Sequence, residues 1–243
     1  MTSVSLSVVV PAFNEQDNIH SMVTRSYDAL VKLFVDFEII LVDDCSTDHT
    51  GDIAEQLQRQ FEKVRVLHNH RNLGQGASLV VGFKAARCDY VTHNAMDYPF
   101  HLDDLSHVLP LLNEADVVAV ARDHWLHPTI FRRLLTMTNL LLLRNCFGLR
   151  LRDYNFVQIF RREVLQSLEF TARSTGFLTP SLLFQAHRRG YGIKEITLRH
   201  WPRERGLARS GRPAVLLRTL RDMLHFWLKQ LTWRLQSGKA QGR

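Results

Sequence analysis

Hydrophobic positions in the first half of the chain follow two alternating rhythms. Short β-branched runs at Ser5–Val10, Glu38–Val42, Val64–Leu67, Tyr90–His93 and Asp116–Ala121 have the length and composition of buried strands. Between them, Glu15–Leu33, Thr50–Phe61, Ala77–Ala86 and Leu102–Leu112 repeat their apolar residues at three and four, as amphipathic helices do. This βαβα order predicts an α/β fold with a mostly parallel central sheet. Ligands of such sheets lie at the carboxyl ends of the strands. Beyond residue 121 the pattern predicts a helical block over Thr129–Arg144, an apolar run Phe156–Phe160, a helix over Ser181–Arg189 and a strand over Ile193–Leu198. Trp201–Pro213, rich in arginine and containing two prolines and two glycines, reads as a mobile basic loop.

The last apolar stretch, Val215–Leu235, is broken by Arg218, Arg221 and Lys229, and no run of 18 apolar residues occurs, so no membrane-crossing helix is expected. Its periodicity instead places Leu216, Leu217, Leu220, Met223, Leu224, Trp227, Leu228, Leu231 and Leu235 on one stripe. Such a stripe suits a helix lying in a membrane interface. A terminal helix docking on the core or on a second subunit gives the same pattern, and the two readings stand side by side. The expected organisation is a main domain over 1–213 followed by an amphipathic helix and basic tail over 214–243.

Composition narrows the class. With 243 residues, 45% hydrophobic and 23% charged, the chain is globular rather than disordered or fibrous. Three cysteines at wide spacing form neither a disulfide framework nor a zinc cluster, which suits a reducing cytosol. The N-terminus has no basic region before its apolar run, so no signal peptide is read there. The net charge of +7 favours anionic partners, and from Arg199 to Arg243 the only acids are Glu204 and Asp222. Nucleic acid is not expected, because Trp227 and Trp233 keep helical rather than base-stacking spacing.

Four strand-end segments could carry chemistry. Pro11-Ala-Phe-Asn-Glu15 follows the first strand and Val42-Asp-Asp-Cys-Ser-Thr-Asp48 the second. Adjacent carboxylates there can accept hydrogen bonds from a base or ribose or hold a cation, or merely favour the positive end of the next helix. A phosphoacceptor receiver domain also uses strand-end aspartates, but it leaves the second half of this chain unexplained. Asn72-Leu-Gly-Gln-Gly76-Ala precedes a helix but lacks the third glycine of a dinucleotide fingerprint. The fourth strand ends in His93-Asn-Ala-Met-Asp97, where Asp97 is placed to meet a metal or a metal-bound phosphate. No GxSxG, Walker A or HExxH motif is present.

Taken in order, Val8–Glu15, Ile40–Asp48, Asn72–Ala77, Arg152–Leu165 and Gly190–Ile196 resemble the family 2 inverting glycosyltransferases. They are most similar to the dolichol-phosphate mannosyltransferase and polyprenyl-phosphate glycosyltransferase branch. The resemblance implies a GT-A, Rossmann-like fold. It also implies a donor nucleotide pocket of Pro11, Ala12, Phe13 and Glu15, with Asp43 or Asp44 on the base and Asn94 nearby as a substitute oxygen ligand for the donor's metal. The family's Asp-x-Asp motif falls here on Ala95-Met96-Asp97, leaving Asp97 as the one carboxylate for Mg²⁺ or Mn²⁺ on the donor diphosphate. Arg122 and Arg133 fall where acceptor phosphate is bound, and Arg203 and Arg205 where the leaving diphosphate is neutralised. A guanidinium fork suits both tasks.

The acceptor decides the mechanism. A sugar hydroxyl needs a general base, whereas Ser174–Ala186, the region corresponding to the family's base, contains no Asp or Glu. A polyprenyl phosphate is already ionised near neutral pH. The leading expectation is therefore a peripheral enzyme on the cytoplasmic, inner face of a membrane that moves a hexose from a GDP-mannose- or UDP-glucose-type donor to a polyprenyl phosphate. Two alternatives are a hydroxyl acceptor served by a carboxylate such as Asp153, and a degenerate protein that binds nucleotide or partner without turnover. A homo-oligomer is compatible with each.

Overall fold

A computed structural model describes residues 2–123, 141, 143–144, 148–174, 176–199 and 217–229. Among the described residues seven strands form one sheet in the order β3-β2-β1-β4-β6-β5-β7. They are β1 (Leu6–Ala12), β2 (Phe37–Asp43), β3 (Val64–His68), β4 (Tyr90–His93), β5 (Val117–Arg122), β6 (Val157–Arg161) and β7 (Ile193–Leu198). β6 alone is antiparallel to its neighbours β4 and β5; the remaining pairings are parallel. The chain winds outward from β1 through β2 to β3 and then returns to the other side of β1 for β4. The β1/β4 boundary is thus a topological switch point, where loops leave in opposite directions and open a crevice at the strands' carboxyl ends.

Both faces of the sheet are covered, which explains why β1 and β2 are buried at every position rather than alternating. Val8, Val10, Ile39 and Leu41 join the core shared with α1 (Ile19–Leu33) and α2 (Thr50–Gln60). Their neighbours Val9, Ile40 and Val42 point through to α3 (Gln75–Ala85). α4 is a single turn at Leu109–Leu112 that packs on the first core, while α5 (Arg162–Ser167) and α6 (Leu178–Arg188) supply Leu165, Leu182 and Phe184 to the second. Phe226, from a helix over 217–229, completes it.

The mixed sheet and the positions of its strands agree with the sequence pattern, and three helices differ from it. The helix expected at Leu102–Leu112 is divided into a 3₁₀ segment, Leu102–His107, and α4, because Pro110 has no N–H to continue the ladder and starts a new turn. α1 begins at Ile19 rather than Glu15, since the amides of Glu15 and Gln16 are bonded to the β2 loop. α6 starts three residues before Ser181, and its residues Leu178–Ala186 are all buried, so it carries no amphipathic rhythm by which to set its start. α5, six residues long, is too short for periodicity to show. Most of Thr129–Arg144, with Arg133, and all of Trp201–Pro213, with Arg203 and Arg205, lie outside the described residues.

Candidate functional site

The loops after β1 and β2 are fastened to each other. Thr47 donates its amide to Asn14 Oδ1 at 2.9 Å, and Asn14 donates its own amide to Ser46 Oγ at 3.0 Å. Glu15 N donates to Thr50 Oγ1 at 2.8 Å, and Gln16 N to Asp48 Oδ2 at 3.3 Å. Asp48 also accepts from the Thr50 amide and hydroxyl at the entrance to α2. Burial pushes the Asp48 carboxyl up, but the hydrogen bonds from Thr50 and Gln16 outweigh it and hold the group below its ordinary value. Among the described residues, the non-glycine positions with positive φ are Asn14 (54°), Cys45 (60°) and Tyr98 (49°). They lie in the loops after β1, β2 and β4, so unfavourable backbone is concentrated where a ligand edge is expected.

The two adjacent carboxylates do different work. Asp44, 2% exposed, accepts from Asn69 Nδ2 (2.8 Å), Leu73 N (2.8 Å) and Gly74 N (2.7 Å). It therefore anchors the β3–α3 loop, which turns at Gly74 with φ 87°. Gly76 follows at the start of α3, where a Cβ would lie 2.1 Å from the Arg173 carbonyl oxygen. The glycines of this segment answer to a turn and a close backbone approach. Asp43, 6% exposed, accepts from Ser46 N at 3.1 Å and faces His68 Nδ1 at 3.1 Å, while His68 Nε2 faces Glu55 Oε1 at 2.9 Å. The Glu55 hydrogen bond, with Asp43 behind it, raises the His68 imidazole above its ordinary range against the desolvation that would lower it. A carboxylate has about four acceptor positions. Asp44 has filled three with protein donors and Asp43 two.

Pro11 and Ala12 are buried at the end of β1, and Phe13 and Glu15 are partly exposed beside them. The Glu15 carboxylate accepts from Asn18 Nδ2 at 2.7 Å. At the end of β4, Asn94 is 2% exposed; its amide donates to Phe100 O at 2.8 Å and its carbonyl accepts from Ala95 N at 3.0 Å. The structure thus gives Asn94 the task of closing the 94–100 turn and not the outward oxygen of a metal ligand. Met96 is buried, and Asp97 is half-buried in the same turn. Among the described residues no three His, Cys, Asp or Glu converge as a metal cage. Asp97 alone suits a cation held chiefly by a ligand's own phosphates.

On the other side of the switch point, Arg122 Nε donates to Asp153 Oδ2 at 2.6 Å, and Asp153 is 1% exposed. His93, at the end of β4, meets Gln158 Oε1 of β6 at 3.2 Å, and burial pushes its imidazole below the ordinary range. Sequence reasoning missed Asn14, Ser46, Asp48, Thr50 and His68. The Ser/Thr/Asp run after β2 was legible as a helix entrance, but its bonding to the β1 loop spans more than 30 residues and has no local signal.

A groove of about 520 Å³, lined by Phe83, Lys84, Leu165, Leu168, Phe170 and Thr171 among others, lies at the far end of α3 from this edge. The helix over 217–229 runs past it. Asp222 Oδ2 accepts from Arg173 N (3.1 Å) and Ser174 N (2.9 Å), Phe226 is 2% exposed against Phe177, and Lys229 pairs with Glu169. This corrects the single stripe read from the sequence: the docked side is centred on Phe226, with Met223 beside it. No described helix is long and apolar enough to cross a membrane.

Comparison with known proteins places these features in company. The family described as Glycosyl transferase family 2 matches residues 7–169. An undecaprenyl-phosphate 4-deoxy-4-formamido-L-arabinose transferase of Yersinia enterocolitica is 27% identical over 205 residues, 83% of this chain and 61% of that protein. The protein of the same name from Pseudomonas fluorescens is 29% identical over 211 residues, covering 83% and 58%. The chain thus spans about three-fifths of the length of these relatives. Among solved structures, one described as a mycobacterial protein aligns with TM-score 0.70 and 26% identity, covering 92% of this chain and 74% of that one. Glucosyl-3-phosphoglycerate synthase from Mycobacterium tuberculosis, in complex with uridine diphosphate, aligns at TM-score 0.68 and 24% identity, covering 92% and 80%.

Proposed function

The chain belongs to glycosyl transferase family 2 and has the GT-A fold, and we propose that it transfers a sugar from a nucleotide sugar to a polyprenyl phosphate with inversion at the anomeric carbon. The observation that carries this reading is the β1/β4 crevice of a family 2 chain, rimmed by the fastened Pro11–Glu15 and Asp43–Asp48 loops. The acceptor class is supported by relatives named for undecaprenyl phosphate. The donor is of the GDP-mannose or UDP-glucose type; because those relatives are named for a modified arabinose, a pentose donor belongs in the same screen.

In this reading Pro11, Ala12, Phe13 and Glu15 line the nucleotide pocket. Asp43, oriented by Ser46 and His68, accepts from the base, and Asp44 shapes the loop behind it. The acceptor phosphate oxygen attacks the anomeric carbon, the bond to the nucleoside diphosphate breaks, and its electron pair leaves with the diphosphate. No proton need be removed, since a phosphate monoester has a second pKa near 6. Catalysis is then positioning plus charge neutralisation. Arg122 and Arg133 meet the acceptor phosphate, with Asp153 fixing the Arg122 guanidinium, and Arg203 and Arg205 meet the leaving diphosphate. A divalent cation, Mg²⁺ or Mn²⁺, would arrive with that diphosphate, take Asp97 as its protein carboxylate, and supply further neutralisation. The enzyme works as a peripheral protein on the cytoplasmic face of a membrane, its catalytic domain spanning 1–213.

Asp153 weighs against the hydroxyl-acceptor alternative, because its carboxylate is buried and paired with Arg122. A second reading, a transferase-like binding protein, is favoured by one observation: the β4 turn offers a single carboxylate, with Asn94 turned inward. Calorimetric titration with GDP and UDP, with and without Mn²⁺, on wild type and Asp97→Ala tests both. Affinity that rises with metal only when Asp97 is present supports the enzyme. Metal-independent affinity unchanged in Asp97→Ala supports the binding protein.

A further inference from the structure

The helix over 217–229 presents three distinct faces. Successive residues of an α-helix turn by about 100°. One face, Thr219, Asp222, Met223 and Phe226, is packed on the 169–177 segment: Asp222 caps the amides of Arg173 and Ser174, and Phe226 is buried against Phe177. A second face, Leu217, Leu220, Leu224, Trp227 and Leu228, is 40–67% exposed, which is a large apolar area for one short helix. A third, Arg218, Arg221 and His225, adjoins it along the whole length and is also exposed. The helix's one acid, Asp222, is turned inward.

We propose that this helix is a docking edge for an anionic bilayer surface. It would lie in the membrane plane, with its leucine–tryptophan face in the interface and its arginine row on acidic headgroups. Apolar insertion flanked by fixed positive charge is the combination that binds such surfaces. Over residues 217–228 the apolar face runs about 17 Å. A docked side chemically separate from the exposed side means that the helix need not leave the protein to meet lipid. The segment it is bonded to also carries the Arg173 carbonyl that backs Gly76, where the β3–α3 loop anchored by Asp44 enters α3. The bilayer contact therefore holds the catalytic edge at a fixed attitude to the surface. The docking edge deepens the proposed function, which places the acceptor in a membrane, but it stands on the helix geometry alone.

The test is flotation of the full chain with vesicles of phosphatidylcholine alone and of phosphatidylcholine mixed with phosphatidylglycerol. Wild type should float with the mixed vesicles only, and release as salt is raised. The double variant Leu220→Glu/Leu224→Glu should bind at least about tenfold more weakly. Arg218→Ala/Arg221→Ala should lose roughly thirtyfold, about 1 kcal/mol per cation. Both variants alter exposed positions, so circular dichroism and GDP or UDP affinity in solution should match wild type. If the leucine variant misfolds, the arginine variant and the salt dependence still decide. The proposal is overturned if wild type floats equally with neutral vesicles or with neither, or if the leucine variant floats as wild type does. It is also overturned if light scattering shows a wild-type dimer that the leucine variant makes monomeric while vesicles are not bound. Transfer to a short-chain polyprenyl phosphate in solution reads the catalytic proposal separately, so either can fail alone.

Discussion

Replacing Asp44 and Asp43 in turn separates a loop anchor from a ligand-facing carboxylate. Asp44 is 2% exposed and accepts three hydrogen bonds from Asn69, Leu73 and Gly74. Truncation to alanine leaves those donors without their acceptor in a buried loop. At about 1–3 kcal/mol for each unsatisfied donor, reduced where water enters the space vacated, the loss is about 3–5 kcal/mol. For a chain of this size each kcal/mol moves the midpoint by about 2–4 °C, so Asp44→Ala should melt roughly 6–20 °C below wild type. Asp43 has two protein partners, one of them the partly exposed His68, and Asp43→Asn should cost only about 1 kcal/mol while weakening nucleotide binding about tenfold or more. Thermal denaturation followed by circular dichroism, with calorimetric titration of GDP and UDP below the transition, reads both quantities. If Asp44→Ala melts with wild type and has lost nucleotide affinity, while Asp43→Asn binds normally, the division of labour argued here is wrong.

Other consequences can be measured on the same preparation. Gly76→Ala would press a Cβ to 2.1 Å from the Arg173 carbonyl; a cost of about 1–3 kcal/mol is expected in denaturant melts, and a neutral substitution would show that Arg173 and Ser174 do not back the start of α3. The His68 pKa is raised in the folded state, so its contribution to stability is complete below about pH 6.5 and is lost as pH rises through the folded value. His68→Gln should remove that decline from a stability–pH profile, and an unchanged profile would place the decline elsewhere. Asp153→Asn should destabilise by about 1–3 kcal/mol, because Arg122, its side chain 26% exposed, can resolvate in part once its partner is neutral. At a temperature where the variant is folded, transfer to polyprenyl phosphate should stay within about tenfold of wild type; transfer to a hydroxyl acceptor that falls about 10²–10⁴-fold in the variant would make Asp153 the general base of a hydroxyl-acceptor enzyme.

Much of this arrangement was legible in the chain because strands buried on both faces announce themselves as apolar runs. β4 and β7 fall on the expected residues, and β1, β2 and β5 extend by only one or two toward the ligand edge. Helices were legible where one side meets water, as in α2, and lost their edges where it does not, as in α6, or where a long-range loop contact takes the first turn, as at Glu15 and Gln16 before α1. The strand-end aspartates were visible as a pair, but their roles were not: whether a carboxylate faces a ligand or a loop depends on Asn69, Leu73 and Gly74, which lie 25 to 30 residues away. Likewise the stripe over 215–235 announced an amphipathic helix. Which side docks is decided by Phe226 meeting Phe177 and by Asp222 meeting the amides of Arg173 and Ser174, contacts that no periodicity encodes.

Sugar transfer to a polyprenyl phosphate can be assayed directly. Purified protein is incubated with Mg²⁺ or Mn²⁺, radiolabelled nucleotide sugars of the GDP-mannose, UDP-glucose and pentose types, and a polyprenyl phosphate, beside the same prenol without its phosphate. One donor should give an acid-labile glycosyl polyprenyl phosphate with inverted anomeric configuration, an equal yield of nucleoside diphosphate, and no product from the free prenol. Transfer to the free prenol, or a nucleotide bound tightly with no transfer from any donor, would contradict the proposed function.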